Sequence, residues 1–302
     1  MCENCPKDAV RFYKSEPKTE VNMPCPPTGS LSGEILYFQA RESGTAYAFN
    51  TQAFAPHLPH QLGGRAALSC NCCHDGWELR IQGLIFHNRA NDELKKPAFP
   101  TWIAPSQFSE PLLASSTLSR WRLHLGWVDL LLTRPFPWIT PYFGLKGAGV
   151  RQKSRIDYFL TTGRTEELSM KQKFWGIGPV MGVSSSWNLG HHFSLYGQAA
   201  ASLLFGSFYL HQDEEEVGNR ASRLKLLNRF ALTRAILEAK TGLSYRYCLE
   251  RAAFAIRVGW EIDLLPGQNL AMNFTDQSPG HFISNLGDLS LQGWTFALSV
   301  DF

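Results

Sequence analysis

Large apolar residues recur at every second position through much of this chain. At its C-terminal end Trp294, Phe296, Leu298, Val300 and Phe302 alternate with Thr295, Ala297, Ser299 and Asp301. Successive side chains of a β-strand point to opposite faces, so this segment is a strand with one apolar and one polar face. The same period runs through Ala252, Phe254, Ile256, Val258, Trp260 and Ile262, set against Arg251, Arg257, Glu261 and Asp263. Trp77, Leu79, Ile81, Gly83 and Ile85 alternate with Glu78, Arg80 and Gln82. Trp121, Leu123, Leu125 and Trp127 alternate with Arg120, Arg122 and His124.

Continued along the chain, the pattern predicts ten strands, at 34–49, 64–71, 76–87, 117–131, 139–152, 172–186, 192–210, 226–245, 251–263 and 288–302. Their connections are 14, 4, 29, 7, 19, 5, 15, 5 and 24 residues long, long and short in strict alternation. Short turns at one end and long loops at the other are the mark of a membrane barrel. The predicted fold is therefore all-β: a transmembrane, antiparallel, up-and-down β-barrel of about ten strands, with eight to twelve allowed. An even number places both termini at one end, the periplasmic one. A soluble sandwich or lipocalin is the competing reading, and it has no reason to segregate its loops so regularly. Pro179, inside "WGIGPVMGV", argues against a paired strand unless a bulge accommodates it beside Gly176 and Gly178.

Composition narrows the class. The 302 residues carry a net charge of +3 with scattered basic positions, so the stripe expected of a nucleic-acid binder is missing. Aromatics make up 13% while mean hydropathy is −0.18, and no run approaches the 18 apolar residues of a spanning helix. Barrel strands escape that test because alternation dilutes their apolar content. The opening "MCENCPKDAV" has no signal-peptide core. The chain is then either cytosolic or a mature form without its leader, and the barrel pattern favours the second. Trp77, Trp121, Trp175 and Trp260 fall near strand ends, where rings can sit at headgroup level.

Several stretches carry a resemblance: "WRLHLGWVDLLLTR", "PYFGLKGAGVRQK", "FWGIGPVMGVSSSWNLGHHFSLYGQAAASLLFGSF" and "LQGWTFALSVDF". With them, the chain resembles the major outer membrane protein-like proteins named from Legionella and found also in Chlamydia-related bacteria. The likeness spans about 117–302 and weakens back to residue 34. It implies an integral barrel of a Gram-negative outer membrane, porin-like, in contact with outer-membrane lipid and lipopolysaccharide. It transfers no functional residues. The alternating, aromatic-terminated ending Trp294, Phe296, Leu298, Val300, Phe302 is similar to the signal read by the barrel assembly machinery. Residues 1–33 form a cysteine-containing periplasmic segment in this reading, and 34–302 the barrel.

Seven cysteines sort by topology. Cys2, Cys5 and Cys25 lie in the N-terminal segment, Cys70, Cys72 and Cys73 at the first short turn, and Cys248 at the fourth. All are expected at the periplasmic end. An odd count leaves at least one thiol free or bonded to another molecule, and the vicinal pair Cys72–Cys73 invites separate partners. Three readings stand: bridges to other envelope proteins, as the chlamydial likeness implies; internal bridges; or a metal or free thiols. Zinc is weakened by the Cys70-x-Cys72-Cys73 spacing, and no metal site or cofactor is expected.

With the apolar set facing lipid, the other face lines the lumen. Its charged residues are Arg80, Arg120, Arg122, Lys146, Arg234, Lys240, Arg251 and Arg257 against Glu78, Glu238 and Glu261. That excess predicts passage of small solutes with a mild preference for anions. Ten strands lie near the closed end of barrel sizes, however. The long 88–116 connection, with "PAFPTWIAP", is placed either inside the lumen as a constriction or outside as a contact loop. "DEEE" at 213–216 is expected in an outer loop and His191–His192 in a turn. No G-x-S-x-G and no acid–base cluster is present, so no enzyme is expected. The alternative to a pore is a closed structural or adhesive barrel whose outer loops meet a host or partner.

Overall fold

The structure is a computed structural model that describes residues 29–72, 76–103, 112–218, 222–249, 252–274, 282–284 and 287–302. Ten long strands carry the fold: β1 (Gly29–Glu42), β2 (His60–Cys72), β3 (Trp77–Leu94), β4 (Ala114–Thr133) and β5 (Thr140–Leu160) make the first half. β6 (Thr165–Gly190), β7 (Phe193–Glu216), β8 (Ser222–Cys248), β9 (Ala253–Asn269) and β10 (Gly287–Asp301) make the second. Each strand pairs antiparallel with its neighbours in sequence, and β1 pairs with β10 to close the ring. The seam runs from Ser30–Asp301 to Glu42–Leu289, and Gly29 and Phe302 exchange backbone hydrogen bonds of 2.8 and 2.9 Å at its end. Phe302 thus lies at the end of the seam, and the predicted architecture holds.

The boundaries differ in an informative way. β1 begins at Gly29, five residues before the predicted barrel boundary. The long loops expected at 153–171 and 211–225 are mostly strand: β5 and β6 continue to a turn at 161–164, β7 runs to Glu216, and β8 begins at Ser222. "DEEE" accordingly belongs to β7, with Glu214 buried, and not to a loop. The strands extend well beyond the apolar belt, and there their outward side chains are polar, which hides them from a search for greasy faces.

That belt occupies the half of the barrel nearest the termini. Ile81 and Ile85 on β3, Val128, Leu130 and Leu132 on β4, Phe143 and Leu145 on β5 all point outward and are exposed. The wall continues with Trp175, Ile177 and Met181 on β6 and Trp294, Phe296 and Leu298 on β10. On β3 and β10 it covers Trp77–Ile85 and Trp294–Phe302, about the 9–11 residues a tilted strand needs to cross a bilayer. Trp77, Trp175 and Trp260 lie on this outer surface, whereas Trp121 is buried inside; its parity matches the core of the upper barrel, not the lipid face.

Pro179 sits mid-strand on β6 facing outward. Expected to need a bulge, it instead leaves the β6–β7 register unchanged, with pairs Ser202–Val180 and Phe205–Ile177 on either side of an unpaired step. The missing N–H is tolerated by dropping ladder pairs on one side only, while Leu145 of β5 still faces Pro179 on the other. His191 and His192 make the two-residue turn between β6 and β7, both at positive φ (51° and 71°), the conformation a right-twisted hairpin prefers.

Candidate functional site: the barrel interior

Inward side chains form three layers. Nearest the termini lies an ionic layer. The Arg65 guanidinium of β2 donates to Glu34 of β1 (2.7 Å) and to both oxygens of Glu261 on β9. Lys240 of β8 reaches the same two carboxylates. On the other wall Lys146 of β5, 0% exposed, lies 2.9 Å from Asp129 of β4 and 2.8 Å from Glu238 of β8. Its ammonium also rests 4.6 Å from the Trp127 ring centre, and Gln82 donates to Asp129 at 2.7 Å. Buried charge is tolerated only when paired and hydrogen-bonded, and this arrangement meets that demand by cross-linking β1, β2, β8 and β9 in one group and β3, β4, β5 and β8 in another.

Above it lies an apolar layer. Leu36, Phe38, Leu84, Phe86, Trp121, Leu123, Leu125, Trp127, Val150, Phe174, Leu204, Phe208, Leu210, Ile236, Leu265, Leu289 and Leu291 are buried in a single cluster drawn from β1 and from β3 through β10. Phe38 and Phe86 meet over Gly63 of the intervening strand β2 with ring centres 6.0 Å apart, and Phe208 stacks on Phe230 at 5.6 Å.

The third layer is a cap made by the connections at the end away from the termini. Short strands Ala48–Phe49, Ala53–Phe54 and Phe99–Pro100 form a small sheet. Beneath it Tyr47, Ala98, Trp102 and Ile103 bury against Ile156, Tyr158, Leu168 and Met170 of the barrel wall. Tyr158 donates to the Tyr47 carbonyl (2.6 Å) and Trp102 to that of Ala46 (2.7 Å), so each ring is fixed by its polar end. From the β9–β10 connection, Leu270 and Met272 pack against the apolar layer, while Gln172 and Gln212 of the wall hold Asn269 and Met272 by hydrogen bonds. Between cap and core a cavity of about 20 Å³, bordered by Glu42, Gln152, Gln172 and Asn269, has room for one water. Of the two placements for the "PAFPTWIAP" connection, its described part, through Ile103, takes the inward one.

Among the residues expected to line the lumen, Arg80, Lys146, Arg234, Lys240, Arg257, Glu78, Glu238 and Glu261 do occupy inward positions. Arg120 and Arg122 do not. They lie on the outer face of β4, because Trp121, Leu123, Leu125 and Trp127 turn inward to fill the core. Above the belt the outside is wet and the inside dry, so the apolar set faces inward there. Arg251 lies outside the described residues, as do Cys2, Cys5, Cys25 and Cys73. Cys70 is exposed on the outward face of β2, Cys248 is half-buried at the end of β8, and only the backbone of Cys72 is described. Trp294, Phe296, Leu298, Val300 and Phe302 share the outward face of β10.

Sequence reasoning missed Glu34, Arg65 and Asp129 and left Asp263, though on the polar set of its strand, out of the lumen charges; all four are inward. The signal was available: each has the parity opposite to its strand's lipid-facing residues, as Glu34 does beside Leu31 and Ile35. Their inclusion replaces the expected cationic lumen with one in which carboxylates match the cations.

A family model described as the Legionella pneumophila major outer membrane protein precursor matches residues 22–302. No curated protein matches the sequence. Among solved structures, the outer membrane protease OmpT of Escherichia coli aligns over 91% of this chain and 96% of its own at 11% identity and a TM-score of 0.47. The Pseudomonas putida toluene transporter TodX aligns over 92% and 90% at 10% identity and a TM-score of 0.30. A major outer membrane protein from Thermus thermophilus aligns over 92% and 100% at 10% identity and a TM-score of 0.32.

Proposed function

The chain belongs to the Legionella major outer membrane protein family, and on that premise we propose that it serves the outer membrane as a closed barrel. Its work is structural, and its capped end presents a surface outside the cell. One observation carries this reading: the apolar layer from Leu36 to Leu291 occupies the lumen with fully buried side chains. A water-filled pore would expose those rings and leucines, at roughly 25 cal/mol per Å² of apolar surface. The ionic layer supports the same reading, since Arg65, Lys146 and Lys240 are held by Glu34, Asp129, Glu238 and Glu261. Cations engaged in this way offer little to a passing anion, which weighs against the anion-favouring pore.

In this reading both termini and the four short turns face the periplasm. The apolar outward face of β10, ending at Phe302, is then what the assembly machinery meets. The exposed thiol of Cys70 points outward near the lower edge of the belt, level with Leu79, and favours a supporting role there, bonding to another envelope protein in the plane of the membrane. No reaction is assigned to the protein.

Conductance tests the proposal. The full chain, folded and inserted in a planar bilayer, should give no stable current steps across a salt gradient. Stable steps with a reversal potential on the anion side would overturn the closed barrel and restore the pore.

A further inference from the structure

Arg122, which the sequence pattern assigned to the lumen, belongs to a feature on the opposite side of the wall. Strand register aligns outward side chains of β3, β4, β5 and β6 into two rows just above the apolar belt. The lower row is His87–His124–Arg151–Lys173 and the upper Arg89–Arg122–Lys153–Lys171, each residue directly facing the next. At strand spacings near 4.8 Å and a same-face repeat of about 6.8 Å, the patch is roughly 14 Å wide and 7 Å high. All eight side chains point away from the barrel, and none of the six arginines and lysines takes part in an ion pair among the described residues. On β7 the outward Asp213 lies one row above Lys171, beside Ser169, and the carboxylates on β5 and β6 serve a third row above. Asp157 holds Arg120 and Arg155, and Glu167 accepts from Arg155 at 2.5 Å.

Like charges directly opposite each other destabilise a sheet, so six arginines and lysines in register favour a counter-charge from outside the chain. Their height says where it comes from. The next outward row toward the termini is Ile85–Gly126–Gly149–Trp175, the upper margin of the belt. Open space surrounds Gly147 and Gly149, so a shallow trough descends the lipid-facing wall below Arg151, flanked by Trp175 at 62% exposure. Cations above and an apolar trough below match an amphiphile with an anionic head and acyl chains. The width of the patch exceeds what one phosphate can neutralise.

We propose that β3–β6 bind the headgroup of a phosphorylated glycolipid of the outer leaflet, one carrying more than one phosphate, with its acyl chains against the trough. The assignment rests on the orientation proposed above, with the capped end outside, but not on whether the lumen is closed. Arg122, Lys153 and Lys171 form the centre of the site, Arg89, Arg151 and Lys173 its edges, and the His87–His124 pair (Nδ1 to Nδ1 2.6 Å) its corner.

The test uses the folded full chain in detergent, so that neither membrane orientation nor conductance enters the readout. Binding of bis-phosphorylated lipid A is measured by native mass spectrometry. The same lipid with both phosphates removed, phosphatidylglycerol and inorganic phosphate serve as competitors. Each basic residue near an anionic lipid surface contributes enough that the triple variant Arg122→Gln/Lys153→Gln/Lys171→Gln should bind at least about tenfold more weakly. Neutralising Lys225 and Arg229, outward cations on β8, should leave binding unchanged, and Arg122→Lys should retain most of it. All of the substituted side chains lie outside the core; if the triple variant nevertheless fails to fold, the single variants Arg122→Gln and Lys153→Gln carry the comparison. Equal binding by wild type and variant, or of lipid with and without phosphate, would overturn the site. Equal competition by phosphatidylglycerol or inorganic phosphate would overturn the glycolipid as its occupant.

Discussion

Phe86→Ala distinguishes a core from a channel wall at a single residue. Phe86 is 0% exposed, meets Phe38 over strand β2, and is flanked by Leu84 on its own strand and Leu125 on β4 in the apolar layer. If that layer is a packed core, truncation removes the ring's transfer free energy and leaves a cavity, a cost of about 3–5 kcal/mol. If the lumen is a hydrated channel, the ring already touches water, and its removal costs almost nothing because no apolar surface returns to solvent. The assay is reversible urea unfolding of the full chain in lipid vesicles, followed by tryptophan fluorescence and by the mobility shift of the folded barrel. An unchanged slope with a lower midpoint would locate the loss in stability and not in the unfolded state. A destabilisation under about 1 kcal/mol would refute the packed-lumen argument, whatever the conductance record showed.

Two further outcomes follow from the same geometry. Lys146→Met should cost about 3–5 kcal/mol, because Asp129 and Glu238 then share a buried space with no cation; the triple change Lys146→Met/Asp129→Asn/Glu238→Gln should recover most of that loss in the same unfolding assay, and failure to recover would deny that the three act as a unit. With all seven cysteines replaced by serine, Pro137→Cys, exposed in the short β4–β5 turn, should resist a membrane-impermeant maleimide in intact cells and react once the outer membrane is permeabilised; labelling in intact cells would reverse the assigned orientation.

How much of this was legible in the sequence depends on one ambiguity. Period two declares that a strand has two faces, and from it the ten strands, their antiparallel order and the seam at Phe302 could be read. It does not say which face is inside. β4 shows why that matters. Between Trp121 and Trp127 the apolar residues are odd-numbered and inward; at Val128, Leu130 and Leu132 they are even-numbered and outward. The strand does not slip, since its register with β5 is continuous from Ser116 to Thr133. The solvent changes instead. In the belt the outside is hydrocarbon, so apolar side chains turn out and Asp129 turns in. Beyond it the outside is water, so the apolar set turns in and Arg122 and His124 turn out. β3 switches likewise, from Ile81 and Ile85 outward to Leu84, Phe86 and Ala90 inward, and β5 from Phe143 and Leu145 outward to Val150, Ile156 and Tyr158 inward.

This change of parity within an unbroken strand therefore marks the membrane boundary from sequence alone. It also gives the misplaced positions a common cause. Assuming one greasy face per strand puts Arg120 and Arg122 in the lumen and Trp121 on the lipid face. It also dissolves the upper parts of β5–β8 into loops, because their outward residues, from Arg151 and Lys153 to His211 and Asp213, are polar. The two basic rows at β3–β6 begin where the parity changes, Gly126 on β4 and Gly149 on β5 being the last outward positions before His124 and Arg151. A boundary set by the solvent on either side of the wall is where a ligand with both a charged and a hydrocarbon part finds its complement.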